Sequence, residues 1–191
     1  MEKDVLVRRF AHCLIALAPL YFLLPDDLPL IGLRRWVLLI AFIVGIGVFD
    51  AWRRYKGITF LGLRPHERKG IASYAWAAAG VTFVLWLITQ DIATAALLSM
   101  AFVDPLAGEL RAKFGRQSWL VWTCGLVYFV LALTVMASWG DHAMEQSLIL
   151  ATVGAVVAIP SELAKVRYFD DDFSMLVFPA IAMSLTAWLL W

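Results

Sequence analysis

Charge is scarce in this chain. Of its 191 residues only 16% are Asp, Glu, Lys or Arg, where a soluble domain carries about a quarter. Cysteine and histidine are scarcer still, with two and three copies. Cys13 and Cys124 each sit inside an apolar run and read as small apolar fillers. No Cys/His spacing fits a zinc site, an iron–sulfur cluster or a disulfide framework. His12, His66 and His142 are scattered, which argues against a histidine metal site or a Ser-His-Asp arrangement. The formal net charge is only +1, and without a basic surface beyond membrane-flanking loops nucleic acid is excluded as a partner. Lys3, Arg8 and Arg9 precede an apolar stretch as in a signal peptide, but no small-x-small pattern stands before Pro25-Asp26-Asp27. The stretch therefore reads as a retained first span.

What the chain has in quantity is apolar sequence. It is 62% hydrophobic with a mean hydropathy of +0.80, and the apolar residues come in long runs rather than amphipathic stripes. These runs predict an all-α polytopic membrane protein built as one integral membrane domain over 1–191. Seven spans are expected at about 10–24, 29–49, 71–89, 92–110, 118–138, 146–165 and 173–191. Asp104-Pro105 is expected to break the fourth, with Asp104 as N-cap and Pro105 opening a new helix. Gly45 and Gly47 read as a helix-packing feature within the second.

The charges are sorted by side. Fourteen of the sixteen Lys and Arg residues fall in alternate segments: Lys3 to Arg9, Arg53 to Lys69, Arg111 to Arg116, and Lys165 with Arg167. The opposite segments hold only Arg34 and Arg35, together with Asp26, Asp27, Asp91, Asp141 and Glu145. The positive-inside rule then puts the N-terminus in the cytoplasm and the C-terminus outside. Trp86, Trp139, Trp188 and Trp191 fall at the outer interface, where amphipathic rings are favoured.

Three clusters on the cytosolic side carry the chemistry. The first joins Asp50, Arg53 and Arg54 to Arg64, Glu67, Arg68 and Lys69. Its basic residues suit anionic headgroups, whereas Asp50 and Glu67 serve neither orientation nor lipid attraction and stand as proton-acceptor candidates or as ordinary ion-pair partners. The second runs from Asp104 to Arg116. On a helix Asp104, Ala107 and Arg111 share one face. There Asp104 can hold Mg²⁺, Ala107 allows close approach, and Arg111 with Lys113 meets phosphate. The helix start expected at Pro105 adds free N–H groups for an anion. The third places Glu162 near the cytosolic rim after Pro160, then Asp170-Asp171-Asp172 where the chain re-enters the membrane. Three carboxylates beside an anionic lipid surface read as Mg²⁺ ligands, Asp171 and Asp172 foremost, or as counter-charges to the Arg-rich loop. Glu162 joins Asp50 and Glu67 as a candidate to accept a proton.

In this order and on this side, the clusters resemble the membrane kinase family of dolichol kinase, phytol kinase and the CTP-dependent diacylglycerol kinases, over roughly residues 50 to 191. Members transfer the γ-phosphate of CTP or another nucleotide to a lipid alcohol. The resemblance implies CTP as donor, Mg²⁺ as cofactor and a lipid alcohol substrate of polyprenol, phytol or diacylglycerol type. Asp104, Ala107 and Gly115 match its nucleotide signature, and the kinase-like motifs fall within 50–179. Arg64 to Lys69 resembles the family's basic-acidic loop, and Asp170 to Asp172 with Pro179 its acidic turn. Arg111 stands where the signature has its first glycine. Residues 124–129 read Cys-Gly-Leu-Val-Tyr-Phe in place of a Lys/Thr/Glu/Gly segment, and the chain has no Asn for the acidic turn. The metal-binding half of the pattern is thus better kept than the phosphate-binding half, with Arg111, Lys113 and Arg116 placed to compensate.

Two other lipid-enzyme families do not fit. CDP-alcohol phosphotransferases need closely spaced further Asp residues, but after Asp104 the next is Asp141. The Lys-Asp and His-Gly-Gly pattern of phosphatidate cytidylyltransferases is absent. The rival from another class is a non-enzymatic small transporter or lipid-binding subunit. A transporter places polar groups near mid-membrane, whereas spans one, three, five and seven are almost wholly apolar. The reading is therefore a lipid-alcohol kinase of a bacterial inner membrane or an endomembrane, with its active face cytosolic.

Overall fold

The computed structural model describes residues 3–28, 32–60, 62–115, 117–163 and 170–191. It is all-helical apart from one two-residue pairing. The helices are α1 (Lys3–Ile15), α2 (Trp36–Lys56), α3 (Ser73–Leu87), α4 (Gln90–Phe114), α5 (Ser118–Trp139), α6 (Met144–Leu163) and α7 (Asp171–Leu190). A 3-10 segment, Ala18–Leu23, follows α1, and another, Pro65–Arg68, lies between α2 and α3. Strands β1 (Asp27–Leu28) and β2 (Leu33–Arg34) pair antiparallel, Asp27 opposite Arg34 and Leu28 opposite Leu33.

Among the described residues, α2, α4, α5 and α7 are long and apolar enough to cross a membrane, and Arg9–Leu23, Ser73–Leu87 and Met144–Pro160 are shorter apolar helices. Large apolar side chains point outward along these helices, among them Phe10, Val48, Trp122 and Leu189. Such a surface is suited to hydrocarbon, not water. Trp86, Trp139, Trp188 and Trp191 are all exposed, in the last turns of α3, α5 and α7.

α4 is the axis of the bundle. α1, α3, α5 and α7 all pack on it, and α6 closes the far side against α5 and α7. Its small residues permit this crowding: Ala93, Ala95, Ala96, Ser99 and Ala107 are buried, and small side chains let helix backbones approach. α5 and α6 approach closely at Gly125, where a Cβ would come within 2.5 Å of the Ile159 side chain.

Four expectations are corrected here. The second span begins later than expected, at Trp36, because β1 and β2 hold the chain just before it in a hairpin. Asp104-Pro105 does not break the fourth span: α4 runs unbroken through both residues. The lost hydrogen bond and ring clash of an internal proline cost about 3 kcal/mol or more, and the packing of four neighbouring helices on α4 outweighs that. No helix start exists at Pro105, so the anion site expected there is absent. Gly45 and Gly47 have no packing partner among the described residues, since a Cβ at either would meet no atom of these within 4 Å. Cys13 also differs from expectation, being exposed, while Cys124 is buried.

Because Gly125 has no room for a larger residue, Gly125→Val should lower thermal stability by about 1–3 kcal/mol. Ile159→Ala in the same chain should restore part of that loss, read as a smaller combined shift in melting temperature than the two single shifts added together.

Candidate functional site

One end of the bundle gathers the chemically active side chains of α1, α4 and α7. His12 of α1 is buried, with Nε2 3.1 Å from Asp104 Oδ2 and 3.2 Å from Asp172 Oδ1. Three acceptors would repel one another at these distances, so at least one of the three groups carries a proton, and a protonated Nε2 would donate to the two carboxylates. The Asp172 side chain is 3% exposed and that of Asp104 18%. The three side chains offer ligand atoms within 4.8 Å of one another. One turn further along the same pair of helices, Arg9 pairs with Glu109. α1 is therefore tied to α4 by two polar contacts beyond its apolar packing.

The acidic turn lies beside this trio. Asp170 caps α7, its side chain accepting from the Asp171 N–H at 3.0 Å. Asp170, Asp171 and Asp172 also bring their oxygens within 4.8 Å of one another. Arg64 faces them, with Nη1 3.6 Å from Asp170 Oδ1 and 3.5 Å from Asp171 Oδ1. The counter-charge to the basic loop expected of the triple Asp is thus present. Burial, a hydrogen bond with Asp171 and the charges of Asp172 and Asp171 together push the Asp170 carboxyl up to about 8. Burial alone would lower the Arg64 guanidinium, but the charges of Asp171, Asp170, Asp172 and Glu67 outweigh it and hold it raised. Three carboxylates are thus crowded around one arginine, a donor set able to hold a divalent cation.

Glu67 sits in the 3-10 turn beneath Arg64. Its Oε2 accepts from the Arg64 backbone N–H at 3.0 Å, and its Oε1 lies 3.8 Å from Arg64 Nε. Arg53, fully buried, fixes this turn to α2. Its Nη2 donates to Asp50 Oδ1 at 2.9 Å, to the Glu67 carbonyl at 3.2 Å and to the Gly70 carbonyl at 2.9 Å. Asp50 is occupied by that work. Its carboxylate accepts twice from Arg53 and once from Tyr74 Oη at 2.9 Å, and it forms an ion pair with Arg54 Nε at 3.0 Å. Asp50 has no place in either carboxylate cluster, and its partners match the ion-pair reading.

The basic residues of the second cluster are more peripheral. Arg111 and Lys113 are exposed on the last turn of α4, Arg111 Nε donating to the Ala107 carbonyl at 3.2 Å and Lys113 resting over Phe114. Ala107 is buried, and Gly115 ends α4 with φ of 71°. Lys69 is exposed at the end of the Glu67 turn. The side chains of Glu162, Lys165, Arg167 and Arg116 lie outside the described residues. Cys124 to Phe129 form part of α5, with Cys124, Gly125 and Tyr128 in the core. No phosphate-binding segment replaces the Lys/Thr/Glu/Gly run there.

His12 is the functional residue that sequence reasoning set aside. Its signal was present: it is the only ionisable nitrogen in the first apolar run, and polar groups embedded in a span face partners or cavities. A cavity of about 460 Å³ opens beside it between α1, α2 and α3, with His12, Glu67 and Asp172 in an otherwise largely apolar lining. At the opposite end of the bundle, Arg35 pairs with Asp26 at 3.0 Å, and His142 pairs with Asp91. Comparison of the chain with known protein families, with curated proteins and with solved structures finds no match in any of the three.

Arg53→Ala should leave Asp50 buried without its main partner and cost about 3–5 kcal/mol. Hydrogen exchange should show the amides of the Glu67 turn opening as well, since the same guanidinium holds that turn.

Proposed function

We propose that this chain is a polytopic membrane kinase that moves the γ-phosphoryl group of CTP, or of another nucleoside triphosphate, onto the hydroxyl of a membrane lipid alcohol. Seven spans, four long and three short, set the N-terminus and the active end in the cytosol and the C-terminus outside. The sorting of Lys and Arg to the active end supports that orientation.

The observation that carries the reading is the meeting of Asp104 and Asp172 at His12, beside Arg64 and at the polar end of an apolar cavity. A lipid alcohol needs such a junction, because its chain belongs in hydrocarbon while its hydroxyl must meet a charged, water-soluble donor. Asp172 belongs to two groups whose ligand atoms lie within 4.8 Å of one another, one with His12 and Asp104 and one with Asp170 and Asp171, and their carboxylates suit Mg²⁺, which keeps substrate phosphates as its remaining ligands. Mg²⁺ held there supplies neutralisation of the phosphate charge and alignment of the γ-phosphorus.

The chain's own groups do the rest. His12 orients the two carboxylates by sharing its Nε2 proton, so its role is positioning. Arg64 balances the acidic turn and faces the charge that builds on the transferring group. Arg111, Lys113 and Lys69 are exposed on the same end and can meet the nucleotide phosphates. The alcohol oxygen bonds to the γ-phosphorus, the bond from phosphorus to the β–γ bridging oxygen breaks, and the nucleoside diphosphate leaves. The hydroxyl proton passes to a carboxylate at the cavity end.

One observation favours the rival reading of a non-enzymatic lipid-binding subunit or small transporter: residues 124–129 are core helix where the kinase pattern has its phosphate-binding segment. Thermal unfolding in detergent separates the two. CTP or ATP with Mg²⁺ should raise the melting temperature of the wild type, EDTA should cancel the rise, and Asp104→Asn should abolish it while the protein still inserts and folds. No nucleotide-dependent shift in folded wild type would favour the binding subunit.

A further inference from the structure

The cavity between α1, α2 and α3 has a polarity gradient that defines its occupant. Ala11 and Ile15 of α1, Phe42 and Ile46 of α2, and Ala77 and Val81 of α3 form its walls. α1 packs on α4 while α2 packs on α3, so the cavity occupies the space between two helix pairs rather than the interior of one. Along α3 it reaches from Ser73 to Val81, a depth of about 12 Å at the helical rise of 1.5 Å per residue. Its polar groups belong to the charged end: Glu67, His12, Asp172 and the first turn of α3.

Each charged group here is engaged, apart from one carboxylate oxygen. His12 and Asp172 hold each other, and Tyr74 Oη donates to Asp50. The exception is Glu67, whose side chain is 3% exposed and whose Oε1 has no hydrogen-bond partner among the described residues. A buried carboxylate oxygen without a hydrogen bond costs free energy that a ligand donor would recover. This oxygen borders the apolar slot, and Arg64, 3.8 Å away, links it to the acidic turn.

We propose that this cavity holds the hydrocarbon chain of the acceptor, and that its hydroxyl donates to Glu67 Oε1. The inference rests on the kinase reading and sharpens it in two respects. Glu67, rather than Asp50 or Glu162, receives the hydroxyl proton as the alcohol oxygen bonds to phosphorus and the nucleoside diphosphate departs. The acceptor is a single-chain primary alcohol. A diacylglycerol would bring two ester carbonyls and a second chain into a slot whose walls beyond Ser73 and Tyr74 are apolar, whereas an alkyl or isoprenoid alcohol asks only for one acceptor at its head.

The test uses the full chain in phosphatidylcholine nanodiscs and a hexadecanol carrying a mid-chain diazirine. Photolabelling should map to α1 and α3. Unlabelled hexadecanol should compete, and diacylglycerol and hexadecane should not. Ala11→Trp, which fills the slot from an exposed position, should remove the labelling, and Ala77→Phe should do so independently. Glu67→Gln should weaken competition by the alcohol about tenfold.

Labelling elsewhere, or labelling indifferent to all three substitutions in folded protein, overturns the cavity proposal, and so does effective competition by diacylglycerol. The two levels fail separately. Phosphate transfer that survives Ala11→Trp and Ala77→Phe would leave the kinase reading standing without the cavity. Labelling as expected, with no transfer from any nucleotide, would leave the cavity as a lipid-alcohol site and remove the kinase.

Discussion

A charge taken out of water at the end of a helical bundle must find its partner on another helix. That constraint organises this protein. α1 is bound to the bundle by His12, which reaches Asp104 on α4 and Asp172 on α7, and by Arg9, which reaches Glu109. α2 is bound through Arg53, whose guanidinium joins Asp50 to the carbonyls of Glu67 and Gly70. Arg64 closes the circuit between the turn so fixed and the acidic start of α7. Apolar packing assembles α3 to α7 around α4, but the polar contacts set where α1 and the Glu67 turn stand relative to that core.

The consequence is a division of labour that runs along the chain. α4, α5, α6 and α7 form the close-packed part, with alanine and glycine at their contacts. α1, α2 and α3 stand more loosely around a cavity. The charged end belongs to both parts. Asp104 and Asp172 come from the rigid half, while His12, Arg64 and Glu67 come from the half that borders the cavity. A reaction between a soluble anionic donor and a lipid needs such a boundary, because preorganised charge and a hydrocarbon-accessible slot have to meet at one place.

Much of this was legible in the residues. Hydropathy located α2 to α7 to within several residues, because each needs an apolar run, whereas the first span expected at 10–24 covers only the end of α1 and the 3-10 segment after it. Asp104 and Asp172 stood out because a carboxylate in or beside a span needs a reason to be there. The partners were not legible. Asp50, Arg53 and Arg54 have helical spacing that announces an ion pair, yet Tyr74, which completes Asp50, comes from another helix with no local mark. His12 was passed over because isolated histidines are common and its two carboxylates lie on helices remote in sequence. Pro105 misled for a related reason. A proline signals a helix break locally, and only the packing of four neighbours on α4 overrides it.

The most direct measurement is phosphate transfer from γ-labelled CTP, with ATP in parallel, to a panel of lipid alcohols in detergent with Mg²⁺. The account predicts a labelled lipid that appears with wild-type protein and vanishes with Asp104→Asn. Absence of transfer from either nucleotide by protein shown to be folded would contradict it, and would mean that the junction of His12, Asp104 and Asp172 holds the bundle together without performing chemistry.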